Sequence, residues 1–110
     1  MEMRELLEFT ERVASELSKR TPNSTSTERA FARMVKLTEE VGELADEVLA
    51  SQGDQRKEKL EEKRAEGLGD EIADVLITTL ILAASLEVNV PEALARKITK
   101  IETRFYGDIR

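Results

Sequence analysis

Five carboxylates hold the chemical interest of this 110-residue chain: Glu39, Glu40 and Glu43, then Glu71 and Asp74. Helical residues advance by about 100° each, so Glu40 and Glu43 share a face, and Glu39 overlaps it through its i+4 relation to Glu43. Glu71 and Asp74 repeat the three-residue spacing after an interval of 27 residues. Acidic pairs are cheap in a chain with 23 Asp and Glu, and E-E-x-x-E arises by chance about once in such a sequence. Setting therefore decides. The first group lies one residue round from an apolar seam, and Gly42 within it lowers helix propensity by roughly 1 kcal/mol while leaving room for a backbone or ligand. Asp74 is the only charge in the stretch 72–86, IADVLITTLILAASL. A lone ionised carboxylate in a dry core is very unfavourable, so Asp74 has to be paired, protonated or bound to a metal. The dipole at the start of a helix accounts for Asp70 and Glu71 but not for Asp74, which lies further in. If the two helices pack antiparallel, Glu40, Glu43, Glu71 and Asp74 can converge, and four carboxylates repel strongly unless a divalent cation sits among them. A metal site and a salt-bridged core both answer this pattern.

Composition narrows the chemistry further. There is no cysteine and no histidine, which excludes disulfides, thiolate sites, catalytic triads and Glu-x-x-His di-iron ligand sets. A metal would be held by oxygen alone, which suits Mg²⁺, Mn²⁺ or Ca²⁺. With 17 basic against 23 acidic residues the net charge is −6, so nonspecific binding to a nucleic-acid backbone is not expected. The acidic start, MEMRELLEF, does not read as a secretion signal, and a cytoplasmic location is expected. Two other acidic runs, Glu2, Glu5, Glu8 and Glu11, and Glu61–Glu62, read as solvated faces. A basic row, Lys97, Lys100 and Arg104, falls at i, i+3, i+7 beside an apolar stripe. It is either a solvated face or a set of phosphate-neutralising cations. Lys36, one turn before Glu40, has the same two readings: phosphate contact or pairing with Glu40.

The elements that must position these groups are helical. Composition is rich in Glu, Leu, Ala, Lys and Arg, a helix-forming vocabulary. Segment 2–20 carries Met3, Leu6, Phe9/Thr10, Val13 and Leu17 at steps of three and four, and stops before Thr21-Pro22. Thr25 and Glu28 form a capping box for a second helix with Met34, Leu37, Val41, Leu44 and Val48 as its seam, ending near Gly53. Residues 54–66 read as a solvated helix or a linker, with Leu60 the only sizeable apolar side chain. Gly67 and Gly69 then punctuate the chain before a third helix, 70–87, apolar nearly all round and requiring cover from a core or a second subunit. It is too short and too interrupted to span a membrane. Pro91 opens a fourth helix with Leu94, Ile98, Ile101 and Phe105 on one face. The expectation is an all-α fold, an antiparallel four-helix-type bundle completed by oligomerisation.

The segments KLTEEVGELADEV, GDEIADVLITTLILAASLEVNVPEAL and RKITKIETRF resemble the MazG-like all-α nucleoside triphosphate pyrophosphohydrolases, whose signature is E-E-x-x-E, a variable spacer and E-x-x-D. The similarity covers about residues 30–106, within a single domain over 1–110. It implies hydrolysis of the α–β phosphoanhydride of a nucleoside triphosphate to a monophosphate and pyrophosphate, as nucleotide-pool housecleaning. It further implies Mg²⁺, or Mn²⁺ in its place, on Glu40, Glu43, Glu71 and Asp74, with Glu39 orienting or deprotonating water or helping to hold a second metal. Lys36, Lys97, Lys100 and Arg104 would bind the substrate's phosphates. Self-association as a homodimer or homotetramer is implied too. Phosphoribosyl-ATP hydrolysis in histidine biosynthesis is the same chemistry in another role, and a non-catalytic helical oligomer binding a divalent cation or nucleotide is the rival of a different class. With no tryptophan, base stacking would fall to Phe9, Phe31, Phe105 or Tyr106, although Phe9 and Phe31 also read as core filler.

Overall fold

Helix-forming residues with two prolines placed between periodic segments give four helices: α1 (Met3–Arg20), α2 (Ser26–Gly53), α3 (Glu58–Ser85) and α4 (Val90–Tyr106). The computed structural model describes the backbone of residues 1–53 and 58–107, and the side chains of these except 53–65. Among the described residues there is no strand, so the fold is all-α. The readings of residues 54–57 as helix or linker, and of the side chains of Leu60, Glu61 and Glu62, fall outside the described residues.

The helix ends follow local chemistry. At the start of α2 the Thr25 amide donates to Glu28 Oε1 at 2.9 Å and the Glu28 amide donates to Thr25 Oγ1 at 3.1 Å, which is the expected capping box. At α4 the Glu92 amide donates to Asn89 Oδ1 at 3.1 Å, with Pro91 in the first turn. The end of α3 is less ordinary. The Val88 amide donates to the Ala83 carbonyl at 3.0 Å, and Glu87 takes φ = 56°. This is a Schellman-type stop with a glutamate where glycine or asparagine is favoured.

One boundary departs from expectation. The third helix begins at Glu58 rather than near residue 70, and Gly67 and Gly69 lie inside it. Its first turns, EKLEEKRAE, are strong helix formers that outweigh roughly 1 kcal/mol of propensity lost at each glycine.

Among the described residues packing is concentrated where α2 and α1 lie against α3, and α4 makes no comparable interface. The core is thin: Thr10, Glu40, Thr78 and Ile81 are the buried residues among those described. The inward line of α2 is Arg33, Leu37, Glu40, Leu44, Glu47 and Ser51, while Met34, Val41 and Val48 stay exposed. The expected seam is thus rotated by about one residue, and only Leu37 and Leu44 of it turn inward. Phe9 and Phe31, expected as core filler, are 42% and 67% exposed. Ile72 and Leu76 on α3 and the whole stripe Leu94, Ile98, Ile101 and Phe105 on α4 are exposed as well. The radius of gyration is 17.7 Å, against about 13 Å for a compact globule of this length. A single chain this open leaves amphipathic faces uncovered. No helix among the described residues is long and apolar enough to cross a membrane.

Candidate metal centre

The α2–α3 seam brings Glu40, Glu43 and Glu71 together, each offering a carboxylate oxygen within 4.8 Å of the others. Glu40 and Glu43 come from successive positions of one α2 face, and Glu71 meets them from α3. One turn further along α2, Glu47 meets Gly67, which is one turn before Glu71. Rising numbers on one helix face falling numbers on the other, so the pair is antiparallel, the arrangement that lets both half-motifs converge.

Burial separates the three carboxylates. Glu40 is only 7% exposed, Glu71 is half-buried and Glu43 is exposed. Glu40 Oε2 and Glu71 Oε2 are buried without a hydrogen-bond partner. Two buried carboxylate oxygens left without a partner on neighbouring residues are costly unless a cation or proton satisfies them. Burial of its carboxyl, then the charges of Glu43, Glu40 and Asp74, then hydrogen bonding to Glu40, push the Glu71 pKa up to about 7. The oxygen-only donor set, its spacing and the orphaned oxygens fit a hard divalent cation.

Asp74 lies close enough to raise the Glu71 pKa, but it stands outside the group of three and is exposed. Among the described residues the dry core expected around Asp74 is absent: it shares a face with Glu71 and Thr78 but stands exposed at the edge of the α2–α3 seam. Glu39 is exposed at the rim. Lys36 Nζ lies 3.4 Å from Glu40 Oε1 and 3.6 Å from Glu39 Oε2, and its hydrogen bond to Glu40 leads the effects that raise its own pKa. Of its two readings, pairing with Glu40 is the one seen in this chain. Lys97, Lys100 and Arg104 are exposed on α4, which among the described residues makes no substantial interface with α2 or α3, so the basic row is not gathered with the acids there. Around Gly42 the space is open: a β-carbon there would meet nothing within 4 Å. Glu2, Glu5, Glu8 and Glu11 are exposed, as expected of a solvated face.

Sequence reasoning passed over two groups. Glu47 shares the inward line of α2 with Glu40, a signal visible as the i+7 spacing once that line is known. Arg29 and Arg33 line a half-open cavity of about 90 Å³ between α1, α2 and Ser85. Arg33 lies two turns before Glu40 on the same line, so this cavity sits along the seam from the acidic triad rather than at it.

Comparison with known proteins gives a consistent picture. Residues 29–105 match the family model described as the MazG nucleotide pyrophosphohydrolase domain. A protein of Bacillus subtilis (strain 168) described as uncharacterized protein YpjD is 41% identical over 74 residues, 67% of this chain and 65% of that protein. The chain therefore matches just under two thirds of that relative's length. No solved structure matches it.

Proposed function

The chain belongs to the MazG nucleotide pyrophosphohydrolase domain family, and on that premise we propose that it is a single-domain enzyme hydrolysing the α–β phosphoanhydride of nucleoside triphosphates. The products are a nucleoside monophosphate and pyrophosphate, and the role is housecleaning of the nucleotide pool. The observation that carries this reading is the triad Glu40, Glu43 and Glu71, with two buried and unpartnered oxygens at one point of the α2–α3 seam.

Glu40, Glu43 and Glu71 would hold Mg²⁺, or Mn²⁺, with Asp74 joining them from the next turn of α3. When bound, the cation supplies charge neutralisation for the phosphate oxygens of an in-line displacement. The protein residues do the rest. Glu39, exposed at the rim, orients the attacking water and accepts its proton as the water oxygen bonds to phosphorus and the bridging P–O bond breaks. Lys36, already between Glu39 and Glu40, fixes both carboxylates and faces incoming phosphate. From the triad, the nucleoside extends along α2 toward the cavity lined by Arg29 and Arg33.

The remaining cations come from a second copy. The uncovered stripe Leu94, Ile98, Ile101 and Phe105 on α4 seeks an apolar surface, and Val41, Ile72 and Leu76 beside the acids offer one. A homodimer or dimer of dimers that joins these faces would set Lys97, Lys100 and Arg104 near the triad, where they cradle the outer phosphates.

The test is pyrophosphate release from the eight common ribo- and deoxyribonucleoside triphosphates with Mg²⁺, with Glu40→Gln as control. Turnover abolished by the substitution supports the reading, and the ranking of bases identifies the substrate. No turnover on the panel and none on phosphoribosyl-ATP would contradict it.

A further inference from the structure

Arg33 stands half-buried on the inward line of α2, yet among the described residues its side chain makes no hydrogen bond and no ion pair. A guanidinium carries five N–H donors and no acceptor, and leaving them unmet on a packed face is unfavourable. Arg29, one turn earlier, lines the same cavity of about 90 Å³. Its Nη1 donates to the Ser24 carbonyl at 2.6 Å and to Ser24 Oγ at 3.2 Å, which fixes the guanidinium and leaves its other N–H groups over. Like charges four residues apart on a helix also repel. Pinning the loop before α2 accounts for Arg29, and nothing comparable accounts for Arg33.

The rest of the cavity wall points the same way. The hydroxyls of Thr21, Ser24 and Ser85 donate to the carbonyls of Leu17, Thr21 and Ile81, so their protons are already used. Ser18 of α1 is half-buried in this wall, and among the described residues its hydroxyl has no partner. Glu28 is the carboxylate that lines the cavity, and its Oε1 is engaged by the Thr25 amide. Unused donors therefore dominate, and they come from two helices. Such a wall suits an oxygen-rich anion, and donors from different directions match a tetrahedral phosphate group better than a flat carboxylate. An adjoining cavity of about 330 Å³ shares Ser18, Arg29 and Ser85 and adds Glu11 and Glu87. It has room for the carrier of a phosphate group, while its two carboxylates repel a second phosphate.

We propose that Arg29, Arg33 and Ser18 form an oxyanion site for one phosphate group, free or carried as a monoester. The site lies two turns, about 10 Å, along α2 from Glu40 and needs no metal. Its binding does not rest on the reading of the triad, but its consequence does. The nucleoside of the proposed substrate runs toward this cavity, so a phosphate group held there stands in its path and opposes substrate binding.

Calorimetric titration of inorganic phosphate, and separately of a nucleoside monophosphate, into the full chain with EDTA present tests the site. Saturable one-site binding that weakens as sodium chloride is added is the expected result. Arg33→Gln should weaken it about 10-fold or more, the scale of a lost charge-assisted hydrogen bond. The ligand-free melting temperature should be kept, since this side chain has no bond to lose. Arg33→Lys should recover part of the affinity, because the charge returns without the fork. Arg20→Gln, the same change of charge at an exposed position of α1, should leave binding as it is. Equal affinity for the two ligands assigns the site to the free ion, and tighter binding of the monophosphate assigns it to an ester. No saturable binding by the wild-type chain, wild-type affinity in Arg33→Gln, or equal weakening by Arg33→Gln and Arg20→Gln would overturn the proposal.

Discussion

Glu40 and Glu71 face each other across the α2–α3 seam with one buried, unpartnered oxygen apiece, and the proximity of Glu40 and Glu43 helps push the Glu71 pKa up to about 7. Two acids placed so that one keeps its proton near neutrality make a poor structural device. The cation site proposed for them would relieve the unfavourable contacts of the metal-free form.

The first consequence concerns pH. Glu71 has a folded-state pKa near 7 against an ordinary 4.5, so its contribution to stability is fully present below about pH 4.5 and is lost as pH rises through 7. The metal-free melting temperature should therefore fall across that window, and Glu71→Gln should flatten the fall. Mg²⁺ must displace this proton, so the rise in melting temperature it causes should be larger at pH 8 than at pH 5.5. Thermal melts over a pH series with and without Mg²⁺ check both.

A second prediction separates ligands from structural acids. Glu40→Gln and Asp74→Asn should each lower pyrophosphate release, Glu40→Gln by more than about 100-fold, beyond the usual cost of an outer-shell partner. Neither should lower the metal-free melting temperature, since each removes charge from a repelling cluster. Steady-state assays beside thermal melts read the two effects separately.

Third, the stop at the end of α3 can be improved. Glu87 takes φ = 56°, and Glu87→Gly should stabilise the chain by about 1 kcal/mol because glycine adopts this region without a steric cost. Denaturant unfolding measures the difference. The site is remote from the triad, so turnover should not change.

The uncovered α4 stripe gives a fourth. If the α4 stripe joins two copies as proposed, the wild-type chain sediments as an oligomer and Ile98→Asp as a monomer in sedimentation velocity, because a charge would lie in the middle of the apolar contact. Pyrophosphate release should fall with it if Lys97, Lys100 and Arg104 act on a second copy's triad, while Mg²⁺ binding by the monomer should persist.

Much of this was legible in the residues. The caps Thr25–Glu28 and Asn89–Pro91 announce two helix starts, and the spacing of Glu40, Glu43 and Glu71 foretells their meeting, because helical periodicity and an antiparallel hairpin leave few alternatives. The start of α3 was hidden by Gly67 and Gly69, since local propensity treats glycine as a break and cannot see Glu47 packed over the helix at that point. The exposure of Asp74 and Phe31 is hidden from the sequence for a different reason. Apolarity says that a surface needs cover but not whether the cover belongs to the same chain. The inward line of α2 carries Glu40 and Glu47 instead of the Val41 line, which hydropathy alone could not choose, because hydropathy assigns acids to solvent.

The central claim is that the Glu40–Glu43–Glu71 triad holds a divalent cation, and calorimetric titration of Mg²⁺ at pH 8 tests it most directly. Saturable one-site binding by the wild-type chain, lost in Glu40→Gln while the helical circular dichroism is retained, is the predicted result. Equal Mg²⁺ uptake by the two proteins, or none by either, would contradict it.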